Sequence, residues 1–346
     1  MSSVSVATRS GARATLGADV VEAFRAGLRG ELVVEGDPGY DETRALWNAM
    51  IDRRPALIAS CAGTADVSHS LKLARENDLL FSVRGAGHNI AGKASCDGGL
   101  MIDLSRMRDV RVDPARQTLR AGPGATLGDL DHEAQAFGLA VPVGINTTTG
   151  IAGLTLGGGF GWISRKYGLT VDSLISADVV LADGRLVTAS AKEQPDLFWG
   201  LQGGGGNLGI VTSFEFQAHP VGPEVLAGLV VHPGDAAAEV ARHWRDFCKT
   251  APDEASAWIV ARKAPPLPFL PEEWHGKDVL VLAMMYTGDM AAGEKAFADL
   301  RAFGKPIADV VGPHPFTGWQ SAFDPLLTPG ARNYWKSHNF AAMTDE

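Results

Sequence analysis

Residues 153–190 read "GLTLGGGFGWISRKYGLTVDSLISADVVLADGRLVTAS". Gly157, Gly158 and Gly159 run together and Gly161 follows, a backbone suited to turns or close approaches that a Cβ would block. Further on, an apolar-rich run breaks at Asp183-Gly184 and resumes, which predicts a β-hairpin. Asp172, in "GLTVDSL", is placed to cap the turn after Leu169.

Two more glycine blocks flank this stretch, "RGAGH" at residues 84–88 and "GGGG" at 203–206. Such runs permit positive φ and let bare N–H groups approach a phosphate. They also serve as tight turns packed on one another. None is a dinucleotide fingerprint or a P-loop. Gly85-Ala86-Gly87 lacks the third glycine, Gly122-Pro123-Gly124 meets its next glycine one residue late at Gly128, and no Gly-Lys-Ser/Thr occurs. His88, directly after the first block, either caps its loop or contacts a ligand.

The segments around these blocks alternate between helical and strand patterns. Val20, Phe24 and Leu28 give residues 15–30 a helical period, stopped by Gly30. "RPALIASC" reads as a buried strand, and "TADVSHSLKLARENDL" as a helix with a Thr/Asp cap and Val67, Leu71 and Ala74 on one face. "LFSVRGAGH" follows as strand into turn, completing a βαβ order with the glycine loop at its end. From Gly99 short strands are broken by Asp-Pro and Gly-Pro turns, then "TLGDLDHEAQAFG" forms a capped helix ending at Gly138. Beyond residue 220, "EVLAGLVVH" and "DVLVLAMMYTG" read as strands, with "GDAAAEVARHWRDFCK" and "MAAGEKAFADLRAFG" as helices. The mixture lacks the regular alternation of a doubly wound sheet and predicts an α+β protein.

The 346 residues suffice for two domains, and 45% hydrophobic with 21% charged residues is an ordinary globular balance. A formal net charge of −9 argues against nucleic acid or an anionic membrane as the main partner. Cys61, Cys96 and Cys248 are spaced for neither disulfides nor metal, so reduced thiols are expected. No signal-peptide core or bilayer-length apolar run is visible, and the expected location is cytoplasmic. His132-Glu133 has no second histidine for a zinc site, the other histidines are scattered, and no metal is expected. Ser164 and Ser173 have no base nearby in sequence, and Arg165 and Lys166 read as a solvated face.

Together, "RGAGHNIAG", the 153–190 stretch and "DLFWGLQGGGGNLGIVTSFEF" resemble the FAD-linked oxidases of the berberine-bridge-enzyme-like group, within the vanillyl-alcohol-oxidase-type flavoproteins. The likeness runs from about Arg44 to Phe216. It implies a two-subdomain, PCMH-type FAD-binding domain over residues 1–220, with its core at about 48–220. A partial α+β substrate domain, an antiparallel sheet with helices, then occupies 221–346. It implies that residues 84–89 (Arg84, Gly85, Ala86, Gly87, His88, Asn89) wrap the FAD diphosphate. By the same likeness His88 carries the flavin covalently, Gly150, Ile151, Gly153, Gly158 and Gly159 lie along the cofactor, and Ile210 contacts its adenine. Asn146 stands where many relatives place a second, cysteinyl attachment, so a single link is expected. The implied activity is hydride transfer from a C–H bond of a sugar, alcohol or secondary metabolite to flavin N5, with oxygen or another acceptor reoxidising the flavin. The family usually continues beyond the point where this sequence stops, with a last segment carrying a Tyr-x-Asn-like motif that returns to the FAD domain; that motif and part of the substrate wall are expected to have no counterpart here. The resemblance names no catalytic base. Two rival expectations are a flavin-binding but inactive protein and a ligand-binding protein that has lost FAD.

Overall fold

The computed structural model describes residues 3–345. The first half is built on two sheets, and the glycine loop springs from the first. That sheet orders its strands Glu31–Val34, Leu57–Ser60, Leu100–Asp103 and Phe81–Arg84. The last three are mutually parallel. Leu57, Ile58, Ala59, Leu100, Met101 and Ile102 are all fully buried, the continuous apolar run expected of parallel strands covered on both faces. The expected βαβ order is therefore present, but Leu100–Asp103 is inserted between its two strands.

Helix Thr64–Glu76 covers this sheet with Val67, Leu71 and Ala74, as the periodicity indicates. The expected Thr/Asp cap is not formed: Gly63 precedes the helix and no side chain caps it. Asp66 instead accepts the N–H groups of Arg29, Gly30 and Ala62 at 2.9, 3.0 and 2.8 Å. Its carboxylate is better used tying three otherwise unpaired donors than one helix end. The helix near the N-terminus spans Ala18–Gly27, and a strand hairpin, Val4–Ala7 with Arg13–Leu16, precedes it.

The second sheet is antiparallel, ordered Leu186–Ser190, Leu174–Val180, Ile210–Gln217, Thr118–Ala121, Val110–Asp113. Its first pair is the hairpin predicted at Asp183-Gly184. Helix Leu127–Gln135 packs beneath it, and Thr126 and Asp129 form a reciprocal capping box.

Past residue 220 a third sheet pairs Ala255–Lys263, Asp278–Tyr286 and Glu224–Pro233, the last also bonded to two short strands, Ala308–Asp309 and Gly312–Pro315. Ala255–Lys263 was not anticipated. Helices Ala237–Cys248 and Met290–Ala302 cover one face of this sheet, burying Val240, Phe297 and Leu300 with Leu226 and Val230. The other face sets Val225, Ala227, Ala283 and Met285 against Trp162, Phe316 and Trp319. His232, in the strand Glu224–Pro233, is 1% exposed with neither ring nitrogen hydrogen bonded among the described residues, and burial holds its pKa down.

Asp131 joins the two halves of the chain. It is buried on helix Leu127–Gln135 and accepts one hydrogen bond, 3.0 Å, from Gln320 Nε2. Burial pushes its pKa up to about 7. The folded state therefore keeps a proton that the unfolded chain releases near pH 4, and stability falls as pH rises from about 4 to 7. Asp131→Asn removes that loss. At pH 8 the variant is expected to be about 1–3 kcal/mol more stable than the parent in urea titrations, with the gap closing toward pH 4. A gap that stays constant with pH would show that Asp131 is not protonated in the fold.

Candidate cofactor site

Strand Phe81–Arg84 ends at the glycine loop, and its last residue turns inward. Arg84 directs Nη1 to the Thr43 carbonyl and lies 3.7 Å from the Asp103 carboxylate. Its guanidinium thus braces the sheet and is not presented to a ligand. The loop itself is short of partners: none of the N–H groups of residues 85–89 donates to an acceptor among the described residues. Five successive donors without an acceptor among the described residues are suited to an anion such as a diphosphate. Asn89 Oδ1 accepts the Lys93 N–H at 3.0 Å, closing the loop locally.

The loop's geometry depends on glycine at two contacts. A Cβ on Gly85 would sit 3.0 Å from the Pro123 carbonyl oxygen, and one on Gly150 would sit 2.8 Å from Ala86 Cβ and 2.9 Å from its nitrogen. Gly150 thereby sets helix Ile151–Leu156 directly against the loop. Ile151 is fully buried in the core and its N–H already bonds the Ala125 carbonyl, so its side chain cannot face a ligand. Gly153 is different. It is exposed, in the middle of the helix, and a Cβ there would meet nothing within 4 Å. Glycine costs about 1 kcal/mol relative to alanine at such a position, and no internal contact explains it.

Gly159 and Gly161 serve the fold. A Cβ on Gly159 would fall 2.3 Å from Thr170 Oγ1, and one on Gly161 would fall 1.8 Å from the Val143 carbonyl oxygen. Gly158 is buried at φ 106°, where only glycine is at ease. Phe160, between Gly159 and Gly161, is exposed and faces Trp258 at 6.1 Å. Ile210 lines a cavity of about 400 Å³ with Phe81, Val83, Val180 and Leu208.

His88 sits at the end of the donor run among residues the sequence analysis had not assigned. Trp47 stacks on its ring at 5.0 Å. Nε2 lies 2.9 Å from Thr148 Oγ1, and Nδ1 lies 3.5 Å from Thr149 Oγ1. Desolvation lowers its pKa to about 4, against an opposing pull from the Asp324 carboxylate, so the ring is uncharged at neutral pH. Asp324 binds Thr147 through both its N–H, at 2.9 Å, and its hydroxyl. Beyond it, Gly330 N–H bonds the Trp47 carbonyl and Ala49 N–H bonds Ala331, each at 3.0 Å. Residues 324–333 thus cross back to the first half beside His88. Tyr334 and Trp335, just after this crossing, are exposed.

Asp172 caps its turn as expected, accepting the Leu169 N–H at 2.8 Å. Ser173, with no base beside it in the sequence, meets His219 in the fold, with Nε2 3.2 Å from its hydroxyl. Ser173 is 4% exposed, so this pair is packing and not a nucleophile open to substrate.

The FAD binding domain family model matches residues 55–190. An FAD-linked oxidoreductase of Dictyostelium discoideum is 31% identical over 318 residues, 91% of this chain and 67% of that protein. The chain belongs to the FAD-linked oxidoreductases. Its fold is the PCMH-type α+β arrangement of that family, and the likeness to the berberine-bridge-like group holds. (R)-6-hydroxynicotine oxidase of Paenarthrobacter nicotinovorans is 39% identical over 203 residues, which are 59% of this chain and 44% of that enzyme. Among solved structures, glucooligosaccharide oxidase from Acremonium strictum superposes with a TM-score of 0.75 at 27% identity, covering 88% of this chain and 62% of that one; its FAD is described as 6-S-cysteinyl and 8α-N1-histidyl. The chain thus spans less than two thirds of the length of these two proteins. Among the described residues no helix is long and apolar enough to cross a membrane.

Proposed function

We propose that this FAD-linked oxidoreductase holds one FAD, carried covalently on His88, and oxidises a small organic molecule at a C–H bond beside an alcohol or amine. The observation that carries the reading is the run of free N–H groups at residues 85–89, leading into a neutral imidazole. In this reading residues 1–220 bind the cofactor and residues 221–346 contribute substrate-facing surface.

When bound, the flavin supplies a two-electron acceptor for the substrate's hydride and passes the electrons to oxygen or another acceptor. The chain's own residues do the rest. The donors at 85–89 hold the diphosphate, Gly150 and Gly153 keep the adjoining helix surface bare, and the cavity at Ile210 takes the adenine. His88 presents its uncharged ring to the flavin methyl edge. Asn146 replaces the cysteine of doubly linked relatives, so the histidine is the single anchor. The exposed ring of Phe160 beside Trp258 offers an aromatic face to substrate. The relatives act on a hydroxynicotine and on glucooligosaccharides, which sets the first panel to try.

The test is anaerobic mixing of the purified protein with that panel while the flavin absorbance is followed. Bleaching by one member, and recovery with peroxide formation on admitting air, is the expected result. A protein that holds flavin but is bleached by dithionite alone would favour the inactive reading.

A further inference from the structure

The hydrogen bonds leading from Asn146 to Thr148 have only one consistent set of directions, and that set decides what the Thr148 hydroxyl offers His88 Nε2. They begin at Asn146. Its Nδ2 lies 3.2 Å from the Leu327 carbonyl, which can only accept. Its Oδ1 lies 3.0 Å from the Thr148 N–H, which can only donate. The amide orientation, often ambiguous, is therefore pinned at both ends by backbone groups. Thr148 Oγ1 is 2.6 Å from that same Oδ1. An amide oxygen has no proton to give, so the hydroxyl proton of Thr148 points to Asn146. Its oxygen is left able only to accept, and the group it faces at 2.9 Å is His88 Nε2. A neutral imidazole carries one N–H. Placing it on Nε2 leaves Nδ1 with the longer contact to the Thr149 hydroxyl at 3.5 Å as its side-chain partner, and the Thr148 main chain also accepts from the ring.

We propose that Asn146 and Thr148 are positioning residues that hold His88 as its Nε2–H tautomer, so that Nδ1 is the nitrogen that bonds the flavin. The position where doubly linked relatives carry a second covalent anchor here serves the first one. Leu327 draws the late crossing segment into the same task, because its carbonyl fixes the amide that fixes the hydroxyl. The proposal rests on the flavin-attachment reading of His88 for its chemistry. The tautomer itself can be measured without it.

A C–N bond forms between Nδ1 and the 8α carbon, one C–H bond of that methyl breaks, and its proton leaves to solvent. The electron pair of the broken bond stays in the cofactor until dioxygen takes it up as hydrogen peroxide. The imidazole becomes a cation on bonding, then loses a proton. Thr148 Oγ1, accepting from Nε2–H, and the Asp324 carboxylate, whose charge favours the protonated ring, both stabilise that cation. With the opposite tautomer Nδ1 has no lone pair, and Nε2 faces Thr148.

Two measurements separate the tautomer from the attachment. In protein made by riboflavin-starved cells and labelled with 15N-histidine, NMR is expected to place the proton of His88 on Nε2, and Thr148→Val to give a mixture. In flavin-loaded protein, Thr148→Val is expected to leave total bound flavin near the parent level. Covalent attachment should slow by about 10- to 100-fold, the cost of losing the orienting partner of a ligating histidine. Thr148→Ser should restore both readouts, which a merely structural loss would not. A parent His88 protonated on Nδ1, or a Thr148→Val variant that keeps both the tautomer and the attachment rate, overturns the proposal. A parent with the Nε2 proton but only releasable flavin leaves the relay standing and removes the attachment reading.

Discussion

His88→Ala is expected to abolish covalent flavin. After acid precipitation the parent polypeptide should retain flavin fluorescence, whereas the variant should release all of it to the supernatant. The fold should survive. His88 is only half-buried, its main-chain N–H has no acceptor among the described residues, and its ring contacts, the Trp47 stack and the two threonine hydroxyls, are worth about 1–2 kcal/mol together. The diphosphate donors at 85–89 are main-chain groups and remain in place, so the variant should still bind FAD reversibly. Release of flavin from the parent would reduce His88 to a contact residue.

The second large effect is a pair of opposite signs at neighbouring glycines. Gly153→Ala adds a Cβ into open space within helix Ile151–Leu156. It should raise the stability of the FAD-free protein by about 0.5–1 kcal/mol through helix propensity. If this face lies along the cofactor, the same methyl should weaken FAD binding by tenfold or more at about 1.4 kcal/mol per decade. Gly150→Ala has no such benefit. Its φ and ψ of −81° and 136° suit alanine, so the effect is steric: the Cβ would press on Ala86 at 2.8 Å and displace the donor loop. A cost of about 1–3 kcal/mol for such overpacking should fall largely on FAD affinity, about 10- to 100-fold. Calorimetric titration of FAD-free protein together with thermal melts reads both quantities. Equal FAD affinity in the parent and both variants would place the cofactor elsewhere.

What could be read from the sequence follows the range of the forces involved. Helix Thr64–Glu76 and the Asp183-Gly184 hairpin rest on local periodicity and turn chemistry, and both stand as expected. The cap of that helix does not, because Asp66 is claimed by N–H groups of residues 29 and 30, far off in the chain. Strand Ala255–Lys263 escaped notice because small and half-buried residues blur its alternation, and pairing with Asp278–Tyr286 makes it a strand. The glycine loop was legible because clustered glycines are a local signal. His88's surroundings were not. Thr148 lies 60 residues away and Leu327 lies 181 residues from Asn146, and "NTTTG" has no pattern that marks it. Asn146 was legible only as the place of a missing cysteine. Its hydrogen bonds became visible once the chain had folded.

On the proposed function, this chain builds an FAD site on the donor loop at residues 85–89. The most direct test is the visible spectrum and flavin content of the purified 346-residue protein, with FAD added back to material from riboflavin-starved cells. The account predicts a yellow protein holding one FAD per chain, with binding weakened by Gly150→Ala. A protein that circular dichroism shows to be folded, yet which neither retains nor takes up FAD, would contradict it.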